Sequence, residues 1–129
     1  MAQPLSVFDI AGRAMSAQLV RLNTTASNMA NAGTVAASEA EAYRAMKPVF
    51  RAVDGTVQVD RIATGDAVPT RRHDPAHPLA DANGDVWDAA VDPTAEMVEM
   101  IEAARQYQNN VQVMDTARTL ILDTIRIGR

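Results

Sequence analysis

Residues 92–129 read DPTAEMVEMIEAARQYQNNVQVMDTARTLILDTIRIGR, and the fold turns on how this stretch is read. It opens on Asp92-Pro93, an N-cap residue followed by proline at the first helical position. Glu96, Glu99 and Glu102 fall in the first turns, where the helix dipole favours anions. Arg126 and Arg129 lie at the far end, and Gly128 is placed to stop the helix. Between these signals Met97, Met100, Ala104, Tyr107, Val111, Met114, Arg118, Ile121 and Ile125 recur at alternating steps of three and four. Only Arg118 interrupts the seam, and Ala117 and Leu120 widen it there. The pattern predicts one long helix that packs lengthwise on another.

A partner stripe lies at the other end of the chain. Leu5, Phe8, Gly12, Met15, Leu19, Leu22, Ala26 and Met29 keep the same rhythm. Ser6 or Asp9 can start that helix and Gly33 can stop it. The middle differs in composition, holding four of the six prolines. Asp54-Gly55 separates two β-prone runs, residues 49–53 and 56–62, because this dipeptide tolerates the positive φ of a tight hairpin turn. Residues 73–85, HDPAHPLADANGD, are turn chemistry throughout.

These features predict a mainly α protein. Long N- and C-terminal helices pack as a coiled-coil-like pair, with a small β-hairpin and loop insert between them. Residues 1–33 form the first helix, 34–92 the insert and 93–129 the last helix, all in one structural domain. Each apolar stripe covers only one side of a partner helix, so the pair is expected to oligomerise.

Composition narrows the function classes. The chain has 129 residues and a net charge of −4. No basic field points to nucleic acid or an anionic membrane. Aromatic residues make up 4 % of the chain, few to anchor an isolated core. Without cysteine there is no disulfide, thiol catalysis or Cys-based zinc site. The start, MAQPLSVFDI, lacks a basic region followed by an apolar one, and the apolar runs are short. The expectation is a cytosolic protein, or one that leaves the cell without a cleaved peptide.

Candidate chemistry is thin. His73 and His77 are four apart, but Pro75 lies between them and breaks any helix that would align them on a metal. Asp81, Asn83 and Asp85 match the first three ligand positions of a calcium loop. The match then fails, with Val86 at the sixth position and Asp92 rather than Glu at the twelfth. A turn centred on Asn83-Gly84 explains the same residues. No nucleophile with a base and an orienting group stands out, so no catalytic residue, cofactor or metal ligand is assigned.

Residues 26–35, ASNMANAGTV, pose a separate question, because asparagine favours caps and turns over helix interiors. At about 100° per residue, Asn28 and Asn31 project roughly 140–160° away from the Leu22–Met29 seam. Read alone, they form a solvated back face beside a helix stop.

The stretch 26–34 resembles the Asn-x-Ala-Asn segment that flagellar rod and hook axial proteins carry near the end of their first helix. AYRAMKPVFRAV (42–53), RRHDPAHPLADANGDVWD (71–88) and the run from Glu96 to Arg129 resemble segments of proximal rod members of that family. The likeness runs through the whole chain in order. It departs at VAASEAEA (35–42), where relatives often carry Gly, Pro and Thr.

The resemblance implies a structural subunit and not an enzyme. Such a subunit is exported unprocessed by the flagellar type III apparatus. It assembles helically with other rod proteins and further copies of itself, forming the periplasm-crossing shaft that carries torque from motor to hook. No cofactor, nucleic acid, small-molecule substrate or membrane insertion is implied. Leu5, Phe8, Met15, Leu19, Leu22 and Met29 are then expected to pack with Met97, Met100, Tyr107, Val111, Met114, Ile121 and Ile125, within or between subunits. Asn28 and Asn31 become contacts between subunits. Two other readings stand beside this one: a cytosolic coiled-coil adaptor, and a calcium-binding module using Asp81, Asn83 and Asp85.

Overall fold

The computed structural model describes residues 6–128. The elements in order are α1 (Val7–Ala30), β1 (Val35–Ala36), β2 (Met46–Val53), β3 (Thr56–Thr64), β4 (Thr70–His73), β5 (Asp85–Asp88) and α2 (Pro93–Ile127). Helix accounts for 48 % and strand for about 24 %. The strands form two antiparallel sheets, one ordered β1-β5-β4 and the other pairing β2 with β3. This corrects the expectation of a mainly α, coiled-coil-like pair with a small insert. The protein is α+β, and the middle of the chain, from β1 to β5, is folded into these two sheets.

The reason lies in how the three-stranded sheet is held. All four residues of β4 are exposed, so no alternation of apolar and polar residues marks it. β1 has two residues and takes its register from far along the chain, Val35 opposite Asp88. Turn chemistry between β4 and β5 closes the pair. The Asp81 carboxylate accepts from the backbone N–H of Asn83 (2.8 Å) and of Asp85 (2.9 Å). Gly84 takes φ +78°, with His73 and Pro75 packed against it.

The second sheet is a two-residue hairpin. Asp54 (φ 50°) and Gly55 (φ 76°) both adopt the left-handed region, as a twist-matched turn requires. A bulge at Val49/Phe50 bends β2.

Both helices begin on built caps. The Ser6 hydroxyl accepts from Asp9 N–H (3.1 Å), and the Asp9 carboxylate accepts from Ser6 N–H (3.2 Å). At α2, the Asp92 carboxylate accepts from Thr94 and Ala95 N–H ahead of Pro93. Gly33 does not take a left-handed conformation. Instead α1 ends at Asn31, whose amide donates back to Ser27 O (2.8 Å).

α1 is packed on two sides, by antiparallel α2 and by the β2–β3 hairpin. Arg13 donates to the buried Thr56 hydroxyl beside the hairpin turn (3.1 Å). Near the other end of α1, Asn28 meets Met46 at the start of β2. The hairpin therefore lies along the helix. What fills these contacts is small. Among the described residues the buried apolar side chains are six alanines, Val86 and Pro69.

Candidate assembly interface

Asn28 is 1 % exposed and joins three elements. Its Nδ2 donates to Met46 O (2.8 Å) and to Glu96 Oε2 (3.1 Å). Its Oδ1 accepts from Met46 N–H (2.9 Å) and from the Tyr43 hydroxyl (2.8 Å). With Met46 the side-chain amide exchanges both bonds, as a neighbouring strand does. Two donors and two acceptors are all that a primary amide has, and all four are used. This corrects the outward, between-subunit position expected for Asn28. The expectation considered one partner for α1, whereas the hairpin covers a second face. Asn31 is half-buried and spends its amide on the helix end.

Around this junction runs the polar side of the helix pair. Arg21, with its side chain 17 % exposed, donates to Glu99 (2.7 and 2.9 Å) and lies 3.5 Å from Glu102. Glu99 and Glu102 are exposed, so solvent screens the pairs and their worth is modest. Tyr43, Glu96 and Arg21 carried no sign of these roles in the sequence. Each meets its partner through chain reversals that a local pattern does not encode.

The apolar stripes lie elsewhere. Ala11, Ala17, Thr24, Thr25 and Asn28 are the buried residues of α1, centred roughly 160° from Leu19 in the apolar stripe. Phe8, Met15, Leu22 and Met29 are half-buried, Leu19 is 45 % exposed, and Leu5 lies outside the described residues. On α2 the less exposed positions are Glu96, Met100, Ala103, Ala104, Tyr107, Asn110, Met114 and Ala117. They share Met100, Ala104, Tyr107 and Met114 with the expected seam, while Met97, Val111, Ile121 and Ile125 are exposed. The inner face of each helix is thus rotated toward alanine, threonine and asparagine, and much of the large apolar stripe stays open.

The far end of α2 is open all round. Asn28 stands beside Glu96 and Arg21 beside Glu99, so the start of α1 falls roughly level with Ala117. Every residue from Arg118 to Gly128 is exposed, including Leu120, Ile121, Leu122, Ile125 and Ile127.

The remaining candidates are absorbed by structure. His73 Nδ1 lies 3.0 Å from Asp85 Oδ1, and Asp81 is committed to its turn. Arg72 bridges Asp88 and Asp74, whose hydrogen bonds raise its already high pKa and keep it charged. Among the described residues no group of three or more His, Asp or Glu side chains is disposed to hold a metal ion. None of their helices is long and apolar enough to cross a membrane.

A capped pair of long helices with open apolar stripes, braced by a hairpin, defines a building block of a larger assembly, and similarity to known proteins agrees. Residues 8–37 match the family described as flagella basal body rod protein. Residues 83–127 match the family described as flagellar basal body rod FlgEFG protein C-terminal. The chain is 44 % identical to the flagellar basal-body rod protein FlgC of Yersinia enterocolitica, covering 97 % of this chain and 98 % of the relative. It is 40 % identical to FlgC of Salmonella typhimurium over the same shares. FlgC of Aquifex aeolicus is 31 % identical over 93 % of each chain. The chain belongs to the FlgC family of flagellar basal-body rod proteins. It is a structural subunit of the basal-body rod and not an enzyme.

Proposed function

We propose that this subunit is one strut of the drive shaft, with the α1–α2 pair standing near the rod axis and the two sheets reaching toward neighbours. Its partners are other rod proteins and further copies of itself. It reaches the growing rod through the flagellar type III apparatus, and the finished rod crosses the periplasm. Stiffness under torque comes from lengthwise helix packing with interdigitated side chains. Non-closing contacts extend such a packing into a helix and not a ring.

One observation carries the reading. Among the described residues the core holds six alanines, one valine and one proline, while nineteen large apolar side chains are exposed. A compact monomer of this mass exposes roughly 6,700 Å². This chain exposes 8788 Å², a surplus on the order of 2,000 Å². An ordinary protein contact buries roughly 800 Å² on each partner, so the surplus suits more than one neighbour. A solvated adaptor or a calcium module has no use for so much uncovered apolar surface.

The test is deletion of the gene, with swimming and basal-body morphology as readouts. The expected result is non-motile cells whose basal bodies lack a rod, restored by the gene in trans. Motile deletion cells with normal rods would overturn the reading.

A further inference from the structure

Asn83-Gly84 is the only Asn-Gly pair in the chain, and the fold commits Gly84 to its place. Gly84 holds φ +78°, and a Cβ there would stand 3.0–3.2 Å from Pro75 and His73 atoms. A side chain on this residue is excluded by conformation and by space. The same bareness has a chemical consequence. A backbone nitrogen can attack the side-chain amide carbon of a preceding asparagine and close a five-membered ring. A side chain on the attacking residue hinders that approach, and glycine leaves it open.

Asn83 presents the other reactant. It is exposed, and among the described residues its carboxamide makes no hydrogen bond. What restrains the pair is the turn. Gly84 N–H donates to Asp81 O (3.0 Å), and Gly84 O accepts from Asp74 N–H (2.9 Å). Asn83 N–H is held by the Asp81 carboxylate (2.8 Å). The attacking nitrogen is therefore tied to Asp81 through the proton it must lose. The backbone cannot swing it toward Asn83 Cγ without giving up these bonds.

We propose that Asn83 is a self-modifying site gated by the β4–β5 turn. In the closed turn the reaction is slow. When the turn opens, Gly84 N gives its proton to water or hydroxide and bonds to Asn83 Cγ. The Cγ–Nδ2 bond breaks and ammonia leaves. Water then opens the cyclic imide at either carbonyl. One product is aspartate. The other is isoaspartate, in which the main chain runs through Cβ and Cγ and is longer by one carbon. Water is the only co-reactant. The gate works one way, because hairpin register is set by the geometry of the connection. The bonds from Asp81 to Asn83, Gly84 and Asp85 require the normal backbone spacing. A chain lengthened at residue 83 cannot reform them, and β4 loses its alignment on β5. A subunit that folds promptly keeps Asn83 intact, and one that stays open is marked.

The test incubates the full-length chain at neutral pH in buffer and, in parallel, unfolded in guanidinium chloride. Peptide mapping by mass spectrometry reads the small mass gain of exchanging ammonia for water at Asn83, and an isoaspartyl methylation assay detects the lengthened chain. Modification at Asn83 is expected at least several-fold faster in the unfolded chain, ahead of every other asparagine. Equal rates in the two arms would overturn the gate, and an unmodified Asn83 in the unfolded arm would overturn the site. Asp81→Ala removes the acceptor of the Asn83 and Asp85 N–H groups, and should move the rate in buffer toward the unfolded one. A rate as slow as the native chain's would also count against the gate. Aged chains are then returned to buffer. Those carrying isoaspartate should lack hydrogen-exchange protection at Thr70–His73, whereas Asn83→Ser chains treated alike keep it. Full protection in the isoaspartate chains would overturn the one-way consequence.

Discussion

Asn28 on α1 donates to Glu96 on α2 across 3.1 Å, and the same amide exchanges two bonds with the backbone of Met46. One side chain therefore fixes where two helices and a hairpin sit relative to each other. Asn28→Leu removes four hydrogen bonds and leaves the buried Glu96 carboxylate without its partner. The expected cost is about 3 kcal/mol, read as a lower urea midpoint of the isolated chain. An unchanged midpoint would show that water or a shifted helix replaces the amide at little cost.

Leu22 and Met114 are half-buried on facing helices. Leu22→Asp or Met114→Asp puts a carboxylate into the apolar seam, and each Leu or Met buried there is worth roughly 1.5–3 kcal/mol. Neither variant is expected to support rods in a deletion strain, as judged by electron microscopy of basal bodies. Normal rods with either change would refute the packing of this seam.

Asn31 has its amide turned back on the helix end, so Asn31→Leu is expected to shift monomer stability by no more than about 1 kcal/mol. We expect it to impair assembly all the same, through the part of its side chain that stays accessible. Swimming in soft agar checks this, and full motility would return Asn31 to a purely local capping role.

Gly84 combines φ +78° with Pro75 and His73 atoms 3.0–3.2 Å from where a Cβ would stand. Gly84→Ala is expected to destabilise the β4–β5 unit by about 2 kcal/mol. Amide hydrogen exchange of Thr70–His73 should speed up by a corresponding factor while α2 stays protected. Equal protection in both chains would show that the loop yields without strain.

What the sequence disclosed was the punctuation. Asp92-Pro93, Ser6 with Asp9, and Asp54-Gly55 each mark a boundary by local chemistry, and each boundary is where that chemistry puts it. What it did not disclose was the phase of the helices. The stripe of Leu, Met and Ile predicts one buried face, but the helices of the monomer turn Ala11, Ala17, Asn28 and Ala103 inward. Small residues permit close approach yet leave no hydrophobic signature. The three-stranded sheet escaped notice for a related reason. Thr70–His73 is polar on both faces, and its place is set by pairing with Asp85–Asp88 across a turn of eleven residues, 74–84. The family likeness pointed to the right assembly while misplacing Asn28, because a shared motif says that a residue matters without saying what it touches.

The alanine-lined core has a thermodynamic consequence. A subunit that gains most of its apolar burial from its neighbours draws its stability from their concentration, so its melting temperature is no fixed property of the chain. Free copies are expected to be softer than incorporated ones, a difference that hydrogen exchange on monomer and rod would read. Growth then favours an existing end over a new start, because only a seated neighbour offers the surface that completes the fold. On that expectation, order of addition in a rod follows from the incompleteness of each part.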